Sequence, residues 1–193
     1  MPMLTVDCVK GALTREQKGQ LAEELTHVML EIEGGQDTPF GRSISWVRFK
    51  EIEKEDWFIG GKSDDTYVAE VGKFLVELNV PEGSMNQERK SLATRAITDA
   101  ILKTTGSEGI KGAGYSIWVQ IFEWPEGHLG ANGNTASLFG IAQLAGVPDD
   151  TPLFEFSRAY FDAKQRLLDG NGFPEGTAGR ALVPYREAER QPS

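Results

Sequence analysis

Apolar and polar residues alternate over positions 4–9 and again over 74–80, the period of a half-buried strand. A glycine-bearing turn follows each run, at Gly11 and Gly83, and apolar residues then recur at helical spacing. The first stripe is Leu21, Leu25, Val28 and Ile32; the second is Leu92, Ala96 and Ala100, with Ile97 and Ile101 less regular. Thr14 with Gln17 three positions on reads as a capping box, and Asn86 serves as the second cap. Gly34-Gly35 and Gly106 stop the two helices. A second strand is expected in each copy, over 44–49 and 116–122. Trp57-Phe58-Ile59-Gly60-Gly61 and Leu129-Gly130-Ala131-Asn132-Gly133 then close the copies as small hairpins.

The two patterns are one pattern written twice. Shifted by 72 residues, Leu4-Thr5-Val6-Asp7 falls on Val76-Glu77-Leu78-Asn79, Glu16 on Glu88, Lys18 on Lys90, and Trp46-Val47 on Trp118-Val119, with no gap. A helix between two strands is long enough for a crossover, so the strands of each copy should be parallel. The expected fold is α+β: tandem β-α-β units forming a four-stranded sheet with two helices on one face, plus a C-terminal helical extension. Trp46 and Trp118 are expected in the core. The other sheet face needs cover, which points to oligomerisation. The chain divides as 1–72, 73–147 and 148–193. Residues 134–147 have no clear pattern. Thr151 and Pro152 start a third helix with Leu153, Phe156, Tyr160 and Leu167 as its stripe, and 170–193 form an arm or tail.

Composition narrows the chemistry. The 193 residues carry a formal charge of −9, which disfavours a broad face for nucleic acid or anionic lipid. Cys8 is the only cysteine, so no internal disulfide forms, and it reads as a buried thiol. No run approaches the roughly 20 apolar residues of a membrane helix. The first residues lack the pattern of a signal peptide, so a cytoplasmic location is expected. Two distant histidines make no metal signature, and neither a phosphate loop nor a Gly-x-Ser-x-Gly elbow is present.

Pro2 directly after Met1, the Gly11 turn, Glu16-Gln17-Lys18, Val47-Arg48 and Phe58-Ile59-Gly60-Gly61 together resemble 4-oxalocrotonate tautomerase. The tandem form, with Ile117-Trp118-Val119, is similar to fused tautomerases and to cis-3-chloroacrylic acid dehalogenase. The resemblance covers about residues 2–134. It implies a tautomerase or isomerase that needs no cofactor or metal, binds a small carbonyl compound and assembles as a homotrimer. Its acid/base group would be the Pro2 amine, bared by removal of Met1. A terminal amine has a reference pKa of about 8, and burial or a neighbouring cation lowers it. The neutral amine can then take a proton from carbon beside a carbonyl. Phe74 holds the matching place in the second copy, so one site per chain is expected.

Arg48 matches the arginine that binds a substrate carboxylate, but its repeat mate Gln120 would face Pro2 if the pocket is completed by the partner unit. Trp57 stands where the family has an aromatic wall, and His128 precedes the second hairpin. A second family arginine falls near Ala12 and Ser84, so the anion clamp is incomplete. The helix histidine of the dehalogenases falls on Met29, and their tyrosine falls on Gln120. Chloroacrylate dehalogenation is therefore disfavoured, and a neutral or monoanionic carbonyl compound fits better. Two alternatives stand beside this: a trimeric binding or scaffold protein of the same fold without catalysis, and a hydratase or decarboxylase using the same amine.

Overall fold

The computed structural model describes residues 3–34 and 37–182. Its main sheet has the order β2-β1-β3-β4, built from β1 (Met3–Val9), β2 (Trp46–Ile52), β3 (Phe74–Pro81) and β4 (Ile117–Trp124). β1 runs parallel to β2 and β3 parallel to β4, as crossover connections require, while β1 and β3 pair antiparallel in the centre. The crossovers are α1 (Arg15–Ile32) and α3 (Gln87–Thr105). Thr5 sits opposite Glu77, its own counterpart 72 positions on. The two copies are therefore related by a pseudo-twofold axis through that pair.

The caps form as the sequence indicates. Thr14 and Gln17 make a reciprocal capping box, and the Asn86 side chain accepts from the Arg89 amide. Gly106 ends α3 at φ 70°, where a side chain is disfavoured. One face of the sheet, carrying Leu4, Val6, Phe74, Val76 and Leu78, is fully covered by α1 and α3.

Several local expectations need correction. The second strand begins at Trp46, because residues 39–44 wind into a short helix, α2 (Pro39–Ile44), capped by Thr38 with Pro39 in its first turn. Ser116 ends a 3-10 turn, Ala113–Ser116, so β4 begins at Ile117. Trp46 and Trp118 are not in the core; they are 57% and 67% exposed. Val47 and Phe49, with Val119 and Ile121, take the helix-covered face, and strand alternation turns the two tryptophans to the other. On α3 the buried stripe is Ala93, Ile97, Ala100 and Ile101, and Leu92 lies outside it. On α1, Met29 and Leu30 are buried, whereas Val28 is half-buried.

The described part of the C-terminal region packs against the two units. After a two-strand hairpin, β5 (Gly130–Ala131) and β6 (Asn134–Thr135), come α4 (Leu138–Leu144) and α5 (Pro152–Gly170). Thr151 caps α5 as expected, but Leu153, Phe154, Ser157 and Phe161 form its buried side, while Leu167 is exposed. Phe139, Phe154 and Phe161 stack at centroid distances of 5.7 Å and make a second small core. Tyr160 lies flat over Gly83, where an added Cβ would stand 2.5 Å from its ring.

Gly83 and its repeat mate Gly11 both have positive φ, but only Gly83 is covered. Gly11→Ala is expected to cost the backbone penalty alone, about 1–2 kcal/mol, and Gly83→Ala to cost more by disturbing Tyr160. Urea denaturation of both variants measures the difference.

Candidate active site

Met3, the first described residue of β1, pairs with Trp46 on one side and Asn79 on the other. That end of the strand therefore abuts Ser45 before β2 and the turn Glu82-Gly83-Ser84 after β3. A pocket opens there. Leu30 and Glu33 from the end of α1, Ile44 and Ser45 from α2 and its cap, and Ser84 form its base. Leu138, Phe139, Ile141 and Ala142 of α4, with Leu153, Phe154 and Ser157 of α5, roof it. The enclosed cavity is about 40 Å³, within about 610 Å³ of empty space that includes open solvent.

Each wall is held by identifiable contacts. Arg42 of α2 bonds Asp37, just before that helix, at 2.5 and 2.8 Å, and ties α2 to α1 through Glu23, at 2.9 and 3.1 Å. These bonds hold both carboxyls below their usual range and the guanidinium firmly charged. α5 is fixed by Ser157, whose hydroxyl donates to the Gly83 carbonyl at 2.8 Å, and by the ion pair of Lys164 with Glu82. α4 is fixed by Glu126, which is 4% exposed and accepts from the Leu138 amide at 3.0 Å and the Leu182 amide at 3.3 Å. Burial pushes the Glu126 carboxyl up, and those two amides pull partly the other way.

The pocket's polar groups are few. The hydroxyls of Ser45, Ser84 and Ser157 all donate to backbone carbonyls, which leaves their oxygens as acceptors. Glu33 is the one ionisable side chain among the described lining residues. The residue as a whole is half-buried, but its carboxyl is packed among protein atoms. Burial pushes that carboxyl up.

The residues singled out from the sequence are spread over the sheet. Pro2 lies outside the described residues. Arg48 and Gln120 occupy one row across the sheet, Arg48-Thr5-Glu77-Gln120, on the face away from the helices. The Arg48 guanidinium donates to the Thr5 hydroxyl at 3.0 Å. Trp57 follows β2, and its carbonyl accepts at 2.8 Å from Lys73, beside the N-terminal end of β3. That is the opposite end of the sheet from Met3. His128 stands at the same end as Met3 but lines a separate groove against residues 175–182. Within one chain these four side chains do not converge.

Residues 2–66 match the family model of the tautomerase enzymes. The first β-α-β unit is therefore similar in sequence to the tautomerase enzymes, and the chain has the fold of fused tautomerases. N1, a member of the cis-3-chloroacrylic acid dehalogenase family, superposes with a TM-score of 0.59 at 18% identity, over 81% of this chain and 99% of its own. A native fused 4-OT gives 0.56 at 18% identity, over 69% and 95%. Macrophage migration inhibitory factor of Toxoplasma gondii gives 0.53 at 13% identity, over 69% and 99%. No curated protein matches the sequence. Among the described residues, no group of three or more His, Cys, Asp or Glu side chains is placed to hold a metal, and no helix is long and apolar enough to cross a membrane.

Reading by sequence missed Glu33, Ser84 and the aromatic roof. The internal repeat carried a signal for two of them. Glu33 falls on Thr105 and Ser84 on Ala12, so the copies differ at the positions that give the first pocket its polar groups.

The raised Glu126 carboxyl has a defined consequence. Its contribution to folding is fully present below the unfolded pKa and is lost as pH rises through the higher folded value. Glu126→Gln keeps an acceptor for the two amides without the charge. The stability of wild type relative to this variant should fall between pH 4 and pH 8, as urea midpoints at the two pH values will show.

Proposed function

We propose that this chain is a cofactor-independent tautomerase or isomerase. It acts in the cytoplasm on an enolisable carbonyl compound and uses the Pro2 amine as its acid/base group. The observation that carries the reading is the sheltered pocket at the start of β1, in a chain whose tautomerase match begins at residue 2. Pro2 precedes Met3 in the chain, and Met3 pairs with Trp46, the neighbour of Ser45 in the pocket's base. Apolar walls favour the neutral amine, which is the form that accepts a proton. With Met1 removed, the amine takes a proton from carbon next to the carbonyl and returns it elsewhere.

Arg48, Gln120, Trp57 and His128 are proposed as substrate-facing groups supplied across subunit contacts. Support comes from the open sheet face, which carries Arg48 and Gln120 beside exposed Trp46, Trp118 and Phe122. An apolar face of that kind favours burial in an assembly. Fused 4-OT proteins have been solved as symmetric and asymmetric trimers, and a homotrimer is proposed for this chain. Sedimentation equilibrium should give three times the 21.2 kDa chain mass, and Trp118→Glu should lower it.

The catalytic reading is tested by exchange of α-protons for deuterium, followed by NMR, in a panel of enolisable ketones and aldehydes. Intact mass should show Met1 absent. Pro2→Ala should slow exchange at least about a hundredfold, the usual scale of general acid–base catalysis. Equal rates for the two proteins remove Pro2 from the mechanism.

A further inference from the structure

The pocket at the start of β1 contains a feature that the Pro2 reading does not use. It is roofed from within the same chain by α4 and α5, and its described lining holds no arginine, lysine or histidine. Its only ionisable side chain is Glu33. A carboxylate entering such a space would leave water and find no counter-charge in the described lining of its own chain, a cost of several kcal/mol. An uncharged carbonyl compound with an apolar body meets no such cost.

We propose that this pocket takes a neutral, apolar ketone or aldehyde, and that the Glu33 carboxyl donates a hydrogen bond and then a proton to its carbonyl oxygen. This deepens the proposed function and rests on Pro2 as the partner base. Glu33 in its acid form supplies the donor that an arginine would supply to an anion, at no cost in buried charge. The step balances within the pocket. The neutral Pro2 nitrogen takes the proton on carbon, the C–H electron pair becomes the C=C bond, and the oxygen receives the Glu33 proton. The products are an enol, a prolyl ammonium and a Glu33 carboxylate. The reverse sequence converts enol to ketone or aldehyde.

The surroundings of Glu33 favour this role. Burial stabilises its acid form. The described residues of α2, α4 and α5 that line the pocket present no titratable group. Arg89 of α3 is engaged on the neighbouring Ile32 carbonyl at 2.7 Å. In the proposed step amine and carboxyl hold one proton between them, and their two apparent pKa values would belong to the pair. Losing that proton or gaining a second one stops the reaction, so the rate against pH should be bell-shaped. At the pseudo-equivalent place the second copy has Thr105, whose hydroxyl donates to the Ile101 carbonyl at 2.8 Å.

The test follows deuterium exchange by NMR at the benzylic carbon of phenylpyruvate and of its methyl ester. Each rate is divided by its rate in buffer, for wild type, Glu33→Gln, Glu33→Asp and Pro2→Ala. Wild type should favour the ester by at least about tenfold. Glu33→Gln should lose about a hundredfold on the ester and show a single transition with pH, whereas Glu33→Asp should keep the bell at a lower rate. Equal rates for ester and anion in wild type, or a preference for the anion, overturn the substrate class even where Pro2→Ala still abolishes exchange. A Glu33→Gln protein that keeps the bell, whatever its rate, reduces Glu33 to a structural part and overturns its role. The wild-type preference depends on no variant's folding. Exchange that survives Pro2→Ala, or is absent from wild type with both compounds, strikes at the Pro2 reading instead.

Discussion

The antiparallel pairing of β1 with β3 is the constraint on which the rest of the molecule depends. It places Thr5 opposite its own repeat mate Glu77 and so makes one sheet from two units. It also puts β1 in the interior of that sheet, flanked by β2 and β3. An edge strand would leave its first residue in water. Here the first described residue, Met3, has a neighbour on each side, and the end of the strand meets a pocket.

The pairing makes two equivalent ends, and the chain treats them differently. At the end where β3 begins, the backbone arrives from residue 73, and no free amine is available. Lys73 is 1% exposed there, with its ammonium on the carbonyls of Trp57 and Ser63 at 2.8 and 2.7 Å, and Phe74 is buried behind it. A buried ammonium needs such partners. It pins the loop after β2 and fills the space. At the other end a carboxyl, Glu33, and a hydroxyl, Ser84, replace Thr105 and Ala12, and the C-terminal helices add a roof. Duplication supplied symmetry, and local substitution removed it at one end.

Much of the fold could be read from the chain because its signals are short-range and repeated. Capping at Thr14, Asn86 and Thr151, the glycines at positive φ, and the parallel pairing of each unit follow from local chemistry. The misreadings share a cause. Trp46, Trp118 and Leu92 are large and apolar, and hydrophobicity alone assigns them to the core. The faces of β2, β4 and α3 are set by their neighbours instead, and put them outside. The pocket was harder to read because its members lie far apart in sequence. Glu33 is at the end of one helix, Ser84 in a turn, and Phe139 and Phe154 on helices that belong to no repeat. Periodicity reports what a helix buries within its own span; it does not report that two helices from the end of the chain come to rest over its beginning.

That docking bears on the missing arginines. An open site, shared with water, needs a strong fixed cation to hold an anion, because solvent screens weaker partners. A roofed apolar site reverses the preference: a fixed cation there would itself need a counter-charge, and an isolated one would be destabilising. A carboxyl can instead become neutral by taking a proton, and burial drives Glu33 in that direction. The lack of a clamp near Ala12 and Ser84, the roof of α4 and α5, and the displaced Glu33 carboxyl are thus three aspects of one electrostatic choice. The site excludes water first, and the one ionisable side chain among its described lining residues is a group that can shed its charge.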